Sequence, residues 1–140
     1  MPPVTERNAM PDSELSQADK QRLTQALEER RAELRRDVKA QLDGSDDDRV
    51  VGLRRRIEEN DDWGVADGVA ELDIAEVRHA LAELTEVDAA LERVREGTYG
   101  VCVDCDEPIA PARLLAYPTA RRCISCQEAF EIRRRNHVAR

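Results

Sequence analysis

The stretch "YGVCVDCDEPIAPARLLAYPTARRCISCQE", residues 99–128, contains every cysteine of this 140-residue chain. The cysteines form two Cys-x-x-Cys pairs, Cys102 with Cys105 and Cys123 with Cys126, separated by residues 106–122. Each pair can form a tight knuckle that points two sulfurs at one ion, and two knuckles supply the tetrahedral ligand set that Zn²⁺ favours. Four protein ligands leave no open position for a substrate, so we expect one structural zinc ion rather than a catalytic one.

The segment around the two pairs is expected to fold on the metal, because so small a loop cannot be held by its own apolar burial. Gly100 permits the close turn that enters the first knuckle. The apolar floor beneath the site is expected to consist of Ile109, Leu114, Leu115 and Tyr117. The arginines expected to offset the negative charge of the thiolates are Arg113, Arg121 and Arg122.

The composition favours helices that bury narrow stripes over a thick globular core. Aromatic residues make up only 3% of the chain, whereas charged residues make up 37%. The net charge of −8 disfavours diffuse attraction to nucleic acid. The sequence contains neither an apolar run long enough to span a bilayer nor the apolar segment of a signal peptide at its start. We therefore expect a cytoplasmic protein, whose thiols stay reduced.

Hydrophobic periodicity predicts a first long helix that starts after a cap at Ser16 and ends at Gly44. Its buried face is expected to contain Leu23, Leu27, Leu34, Val38 and Leu42. Arg30 interrupts this stripe, and its aliphatic stem can cover apolar surface while its charged end stays in water. A shorter amphipathic segment follows, with Val50, Leu53 and Ile57 on one face.

A second long helix is predicted from about Val65 to Glu96, with Gly97 ending it. Its seam alternates spacings of three and four, a pattern that packs against one partner helix, and comprises Val77, Ala80, Leu84, Val87, Leu91 and Val94. The two long helices together predict an antiparallel hairpin. A compact three- or four-helix bundle that uses the same stripes is the alternative at this point.

The predicted fold class is mainly α: a long antiparallel helical hairpin, or coiled coil, with a small four-cysteine zinc finger and a C-terminal helix. We expect residues 1–14 to form a disordered leader, because they contain three prolines and no periodicity. Residues 15–97 are predicted to form the hairpin, with an acidic tip around 43–67. The zinc finger is expected over 98–128, and a C-terminal helix and basic tail over 129–140.

Around the cysteines the sequence resembles the DksA/TraR family of bacterial RNA-polymerase-binding regulators. The shared pattern is Cys-x-x-Cys-x3-Ile-x3-Arg-x4-Pro-x4-Cys-x-x-Cys, filled here by Cys102, Cys105, Ile109, Arg113, Pro118, Cys123 and Cys126. The chain departs from the family at Val103, where Asp, Glu or Ser is preferred, and at Asp106, where Gly is frequent. Neither residue is a metal ligand, so the zinc prediction is unaffected.

The resemblance implies a function for the whole chain. Members of the family bind RNA polymerase near its secondary channel, insert a coiled-coil hairpin whose acidic tip approaches the active centre, and change the stability of promoter complexes. They often act together with the alarmone ppGpp and need no sequence-specific DNA contact. The resemblance therefore implies a transcription regulator with RNA polymerase as its partner.

The tip is the segment in which the chain departs most from the family. The best-known members have Asp-x-x-Asp-x-Ala there, and the corresponding position here is "ENDDWG", residues 59–64. The residues expected to contact the partner are Glu59, Asp61, Asp62, Trp63 and Asp67. Turns favour Asp and Asn without any function, so a solvated turn with an ordinary surface tryptophan is the alternative.

Two other functions are compatible with the same residues. A zinc-ribbon adaptor could bind another protein or nucleic acid, and a thiol-based redox sensor could lose zinc on oxidation. An enzyme is not expected, because the sequence contains no nucleophile–base pair, phosphate-binding loop or open metal site.

Overall fold

The computed structural model describes residues 15–63 and 74–138. Within these ranges the chain forms five helices: α1 (Gln17–Leu42), α2 (Asp48–Asn60), α3 (Ala75–Glu96), α4 (Pro111–Ala116) and α5 (Ile124–Val138). The described residues contain no regular strand, and their single antiparallel bridge joins Val101 to Pro108. The predicted leader, residues 1–14, and the predicted tip residue Asp67 lie outside the described residues.

Helix α1 has the start, the end and the buried face that the sequence predicts. The Ser16 Oγ accepts a hydrogen bond from the backbone N–H of Asp19 at 3.0 Å, and Gly44 follows the helix with φ of +82°. The buried face contains Leu23, Leu27, Leu34, Val38 and Leu42. Because most helical stability in proteins comes from packing such a face, its position in the sequence locates the helix.

The predicted start of the second long helix, near Val65, lies outside the described residues. Within them Ile74 is not helical, and helix α3 begins at Ala75. Two seam positions also differ from the prediction. Leu81 is buried where Ala80 was expected, and Val94 is only half-buried while Ala90 is fully buried. The buried stripe is therefore wider than the two-position seam of a coiled coil.

The described residues fall into two compact units. The cysteine unit contains residues 15–27 and 89–138, and the tip unit contains residues 28–63 and 74–88. The core of the cysteine unit consists of Leu23, Leu27, Ala90, Leu91, Tyr99, Cys102, Ile109, Leu114 and Ala120. The core of the tip unit consists of Leu34, Val38, Leu42, Val50, Leu53, Ile57, Val77, Leu81, Leu84 and Val87.

The predicted fold class is confirmed: the chain is mainly helical, with an α1–α3 hairpin, a four-cysteine cluster and a C-terminal helix. Within the tip unit, α2 adds a third helix to the pair, with Val50, Leu53 and Ile57 buried as predicted. The Arg54 Nη1 donates to the carbonyl of Leu42 at 3.0 Å, which joins α2 to the end of α1. Among the described residues, no helix is both long enough and apolar enough to cross a membrane.

Candidate metal centre and partner-binding tip

The first cysteine knuckle is closed by backbone hydrogen bonds. The N–H of Cys102 donates to the Glu107 carbonyl at 2.8 Å, and the N–H of Asp106 donates to the Cys102 carbonyl at 3.0 Å. The N–H of Ile109 then donates to the Gly100 carbonyl at 2.8 Å, which returns the chain to the start of the turn. Gly100 has φ of +87°, a left-handed conformation that glycine adopts without strain. The prediction that this glycine enters a close turn is confirmed.

The second knuckle is the N-terminus of α5. Cys123 immediately precedes this helix and Cys126 lies in its first turn, where the N–H of Gln127 donates to the Cys123 carbonyl at 2.9 Å. A backbone bond from the N–H of Val103 to the Arg121 carbonyl, at 2.9 Å, joins the two knuckles. The helix and this bond together bring residues that are about twenty positions apart to one site.

The four cysteine sulfurs all lie within 4.8 Å of one another. The Cys105 and Cys123 sulfurs are 3.9 Å apart. A tetrahedral zinc ion with sulfur ligands at about 2.3 Å requires sulfur–sulfur distances of roughly 3.8 Å, so the cluster has the size of a zinc site. Cys102 is fully buried, Cys105 is exposed, and the other two cysteines are half-buried. The chemistry and the spacing of these ligands fit one structural zinc ion.

The electrostatics of the cluster also call for a cation. Burial disfavours the Cys102 thiolate, but backbone N–H groups of the knuckles outweigh burial and lower the pKa of this thiol to about 6. Hydrogen bonding with Cys123 and Cys102, together with burial, raises the pKa of Cys126 to about 12. Without a metal, one sulfur therefore ionises readily while another resists ionisation, because thiolates this close repel each other. A divalent cation allows all four to be thiolates together.

The floor beneath the cluster differs in part from the prediction. Ile109 and Leu114 are buried as expected, but Leu115 and Tyr117 are 53% and 52% exposed. Adjacent residues point about 100° apart on a helix, so the short helix α4 turns Leu115 outward when Leu114 faces the core. The aromatic ring in the floor is that of Tyr99, whose hydroxyl donates to the Pro118 carbonyl at 2.8 Å. The sequence contained a signal for this role of Tyr99, because it is one of only four aromatic residues in the chain and lies next to the first cysteine pair.

Arg122 links the two knuckles to α5. Its Nε donates to the Asp104 Oδ2 at 2.7 Å, and its guanidinium lies 3.9 Å from the centre of the Phe130 ring. The Arg122 carbonyl accepts from the Arg113 Nε at 3.0 Å. Two of the three arginines expected to offset the thiolate charge thus also hold the loop together through defined hydrogen bonds.

The described carboxylates of the predicted tip are paired with arginines of the tip unit. Glu59 faces Arg55 at 3.7 Å, and Asp62 accepts from the Arg56 Nη2 at 2.9 Å. Asp61 ends α2 in a left-handed conformation, with φ of +51°, and its Oδ1 lies 3.4 Å from the Nη1 of Arg35. The three carboxylate side chains are 40–77% exposed, so each pair is weak and open to competition from a partner.

Trp63 is half-buried against α1 rather than fully exposed. Its Nε1 donates to the Asp61 Oδ1 at 2.8 Å. The guanidinium carbon of Arg35 lies 4.6 Å from the centre of the indole ring, and the Nζ of Lys39 lies 5.8 Å from it. Both distances are within the range of cation–π attraction. Sequence reasoning did not identify Arg35 and Lys39, because their positions on α1 resemble those of ordinary surface cations.

Comparison with protein families identifies the segment that contains the cysteines. Residues 97–131 match the model of the prokaryotic dksA/traR C4-type zinc finger. The RNA polymerase-binding transcription factor DksA of Caulobacter vibrioides is 46% identical over 54 residues, which cover 39% of this chain. An uncharacterized 8.2 kDa protein of Escherichia phage P2 is 40% identical over 63 residues, 44% of this chain and 85% of the phage protein.

A solved structure extends the similarity beyond the finger. The transcription factor DksA2 from Pseudomonas aeruginosa matches 86% of this chain and 88% of its own, with a TM-score of 0.58 and 28% identity. By sequence, the match spans little more than a third of the length of two longer curated relatives: 35% of an uncharacterized Aquifex aeolicus protein and 38% of the Caulobacter DksA. The match to the family model covers residues 97–131, whereas the structural similarity covers 86% of the chain and so includes helices outside that range.

Proposed function

We propose that this chain, which belongs to the DksA/TraR family, is a bacterial transcription regulator that binds RNA polymerase near its secondary channel. The main support is the structural similarity to DksA2, which covers 86% of the chain and so includes the helical hairpin as well as the finger. The resemblance to the family implies that both the helical hairpin and the zinc finger belong to a protein of this kind. The proposed role is binding rather than catalysis.

In this proposal the zinc finger has a structural role. Cys102, Cys105, Cys123 and Cys126 would hold one zinc ion, which would cross-link the two knuckles and leave no open coordination position. The protein itself closes the two knuckles through backbone hydrogen bonds and joins them through Arg122 and Asp104.

The tip unit provides the groups that reach the polymerase. Glu59, Asp61, Asp62 and Asp67 carry negative charge, and Trp63 provides a flat apolar surface of the kind that often dominates protein interfaces. A basic loop of the polymerase, or the magnesium ion at its active centre, attracts such carboxylates. The net charge of −8 disfavours diffuse attraction to nucleic acid, which agrees with the family resemblance in implying no sequence-specific DNA contact. The proposed interaction takes place in the cytoplasm, and any contribution of ppGpp is made at the complex with RNA polymerase.

The lifetime of open promoter complexes tests the proposal. Purified zinc-loaded protein is added to cognate RNA polymerase at a ribosomal RNA promoter, with and without ppGpp. We expect the protein to change this lifetime, and the Asp61→Asn/Asp62→Asn variant to have a smaller effect, because the substitutions remove charge and keep side-chain size.

A matched control removes the same charge away from the tip. Glu28→Gln/Glu86→Gln changes two exposed carboxylates on α1 and α3 and should behave as the wild type. No effect of the wild type over a wide concentration range contradicts the proposal. Recovery of a different protein, without polymerase subunits, in a pull-down from lysate favours the zinc-ribbon adaptor instead.

A further inference from the structure

Three residues of the tip unit form a closed triangle of contacts. The Trp63 Nε1 donates to Asp61, Asp61 pairs with Arg35, and the Arg35 guanidinium lies over the Trp63 ring. Lys39, one helical turn further along α1, approaches the same ring. Arg35 and Lys39 belong to α1, whereas Asp61 and Trp63 follow α2, so the triangle fixes the end of α2 on the first helix.

We propose that Arg35, Lys39, Asp61 and Trp63 form a latch that holds the tip closed in the free protein, and that a cationic partner surface opens it by capturing the carboxylate of Asp61. The latch deepens the proposed function, because it regulates the tip that is proposed to contact RNA polymerase.

The exposure of the two latch partners explains how opening begins. The side chain of Asp61 is 77% exposed, while that of Arg35 is 22% exposed. An incoming cation can therefore reach Asp61 before the latch moves and compete with Arg35 for it. Once Asp61 turns toward the partner, the indole N–H loses its acceptor, and the cation–π contacts with Arg35 and Lys39 remain as the described contacts of the Trp63 ring. Capture of the carboxylate and release of the indole are coupled in this way.

The closed state also contains an unfavourable feature. The Arg35 Nε is buried and has no hydrogen-bond partner among the residues that the structure describes. A buried donor without an acceptor offsets part of what the cation–π contact and the exposed ion pair contribute. The unpaired donor therefore reduces the free-energy difference that a partner must overcome to shift the population toward the open tip.

Fluorescence of the free protein tests the latch directly, because Trp63 is the one tryptophan of the chain. Arg35→Gln removes the guanidinium, and Lys39→Gln provides a second variant that leaves the half-buried Arg35 unchanged. In both variants we expect the indole to become more accessible to acrylamide quenching and its anisotropy to fall. Arg36→Gln is the matched control, since it removes a charge from an exposed neighbouring position of α1.

The same variants then test whether the latch restrains binding. A cation–π contact of this exposure corresponds to about a two- to fivefold change in the ratio of closed to open tips. We therefore expect Arg35→Gln to half-saturate cognate RNA polymerase at a concentration lower than the wild type's by about that factor. Arg36→Gln should bind as the wild type does.

The outcomes separate the latch from the proposed function. Unchanged quenching in both Arg35→Gln and Lys39→Gln, with zinc content and helicity intact, overturns the latch. Weaker polymerase binding by variants whose Trp63 is released overturns its restraining role. If no form of the protein binds polymerase, the proposed function fails, and the fluorescence result alone decides whether the latch exists.

Discussion

At the scale of single residues, Asp106 shows how the finger tolerates a departure from its relatives. Its φ of +63° lies in the left-handed region, at the point where the N–H of Asp106 donates to the Cys102 carbonyl. Glycine, frequent at this position in the family, adopts this conformation without strain, and Asp and Asn are the side chains that adopt it most readily after glycine. The backbone of the knuckle, rather than the metal, selects the residue here.

Asp106→Gly and Asp106→Val should therefore have different effects on stability. The glycine variant should unfold at nearly the wild-type temperature, while the valine variant should lose about 1–2 kcal/mol because its branched side chain opposes a positive φ. Thermal unfolding of the zinc-loaded proteins measures both. Glu107→Val, at a neighbouring position without a positive φ, is the control, and a Glu107→Val loss as large as that of Asp106→Val would contradict the argument.

At the scale of helices, Arg30 occupies the place where the apolar stripe of α1 is interrupted. It donates to both carboxylate oxygens of Glu83 on α3, from Nε at 2.6 Å and from Nη2 at 2.7 Å, and also contacts Glu33 on its own helix. A second pair joins Arg31 to Asp88 at 2.7 Å. The interruption in the stripe thus becomes a polar connection between the two long helices.

The Arg30–Glu83 pair predicts a dependence of stability on pH. The Arg30 guanidinium lowers the pKa of Glu83 below its ordinary value of 4.5. The pair therefore contributes its full stability above about pH 4.5 and loses it as the pH falls through the lowered pKa. Because both side chains are about two-fifths exposed, we expect Glu83→Gln to cost only about 0.2–1 kcal/mol at pH 7, with no difference from the wild type at low pH.

Chemical denaturation at several pH values measures this difference in the free energy of unfolding. Glu86→Gln, an exposed position on the same helix, is the control and should have no pH-dependent effect. An equal difference between Glu83→Gln and the wild type at pH 7 and at low pH would show that the ion pair is not its cause.

The helices were predictable where burial alone decides the structure. The stripes of α1 and α2 were identified residue by residue, because a helix buries apolar side chains with a regular period. The sequence did not show whether Ala80 or Leu81 is buried, because this depends on the rotation of α3 against its neighbours. The same holds for the site: the cysteine spacing indicated the metal, but the contacts of Trp63 with Arg35 and Lys39 depend on the path of the chain after α2.

At the scale of the whole molecule, the two units have different sources of stability. The core of the tip unit consists of aliphatic side chains from three helices, and none of the four cysteines belongs to it. Around the finger, the core of the cysteine unit is small. Apart from Cys102, the buried residues there are Tyr99, Ile109, Leu114 and Ala120. Because so small a core needs the metal, we expect zinc to stabilise the cysteine unit far more than the tip unit.

Removal of zinc should therefore be visible in the titration of Tyr99. Burial raises the pKa of Tyr99 to about 12, although Arg93 lowers it in part. This contribution to stability is present below about pH 10 and is lost as the pH rises toward 12. After chelation we expect the finger to open and the Tyr99 phenol to titrate near its ordinary value of 10.0, as followed by the ultraviolet absorbance of phenolate.

Two controls make this result specific to the finger. Tyr99→Phe leaves Tyr117 as the only tyrosine and identifies which phenol moves. The fluorescence of Trp63, in the tip unit, should change little on chelation, because the core around α2 contains no cysteine. If zinc leaves completely and the high titration of Tyr99 persists, the buried phenol is held by the apolar core and its hydrogen bond to Pro118 alone, and the metal is not what keeps the finger folded.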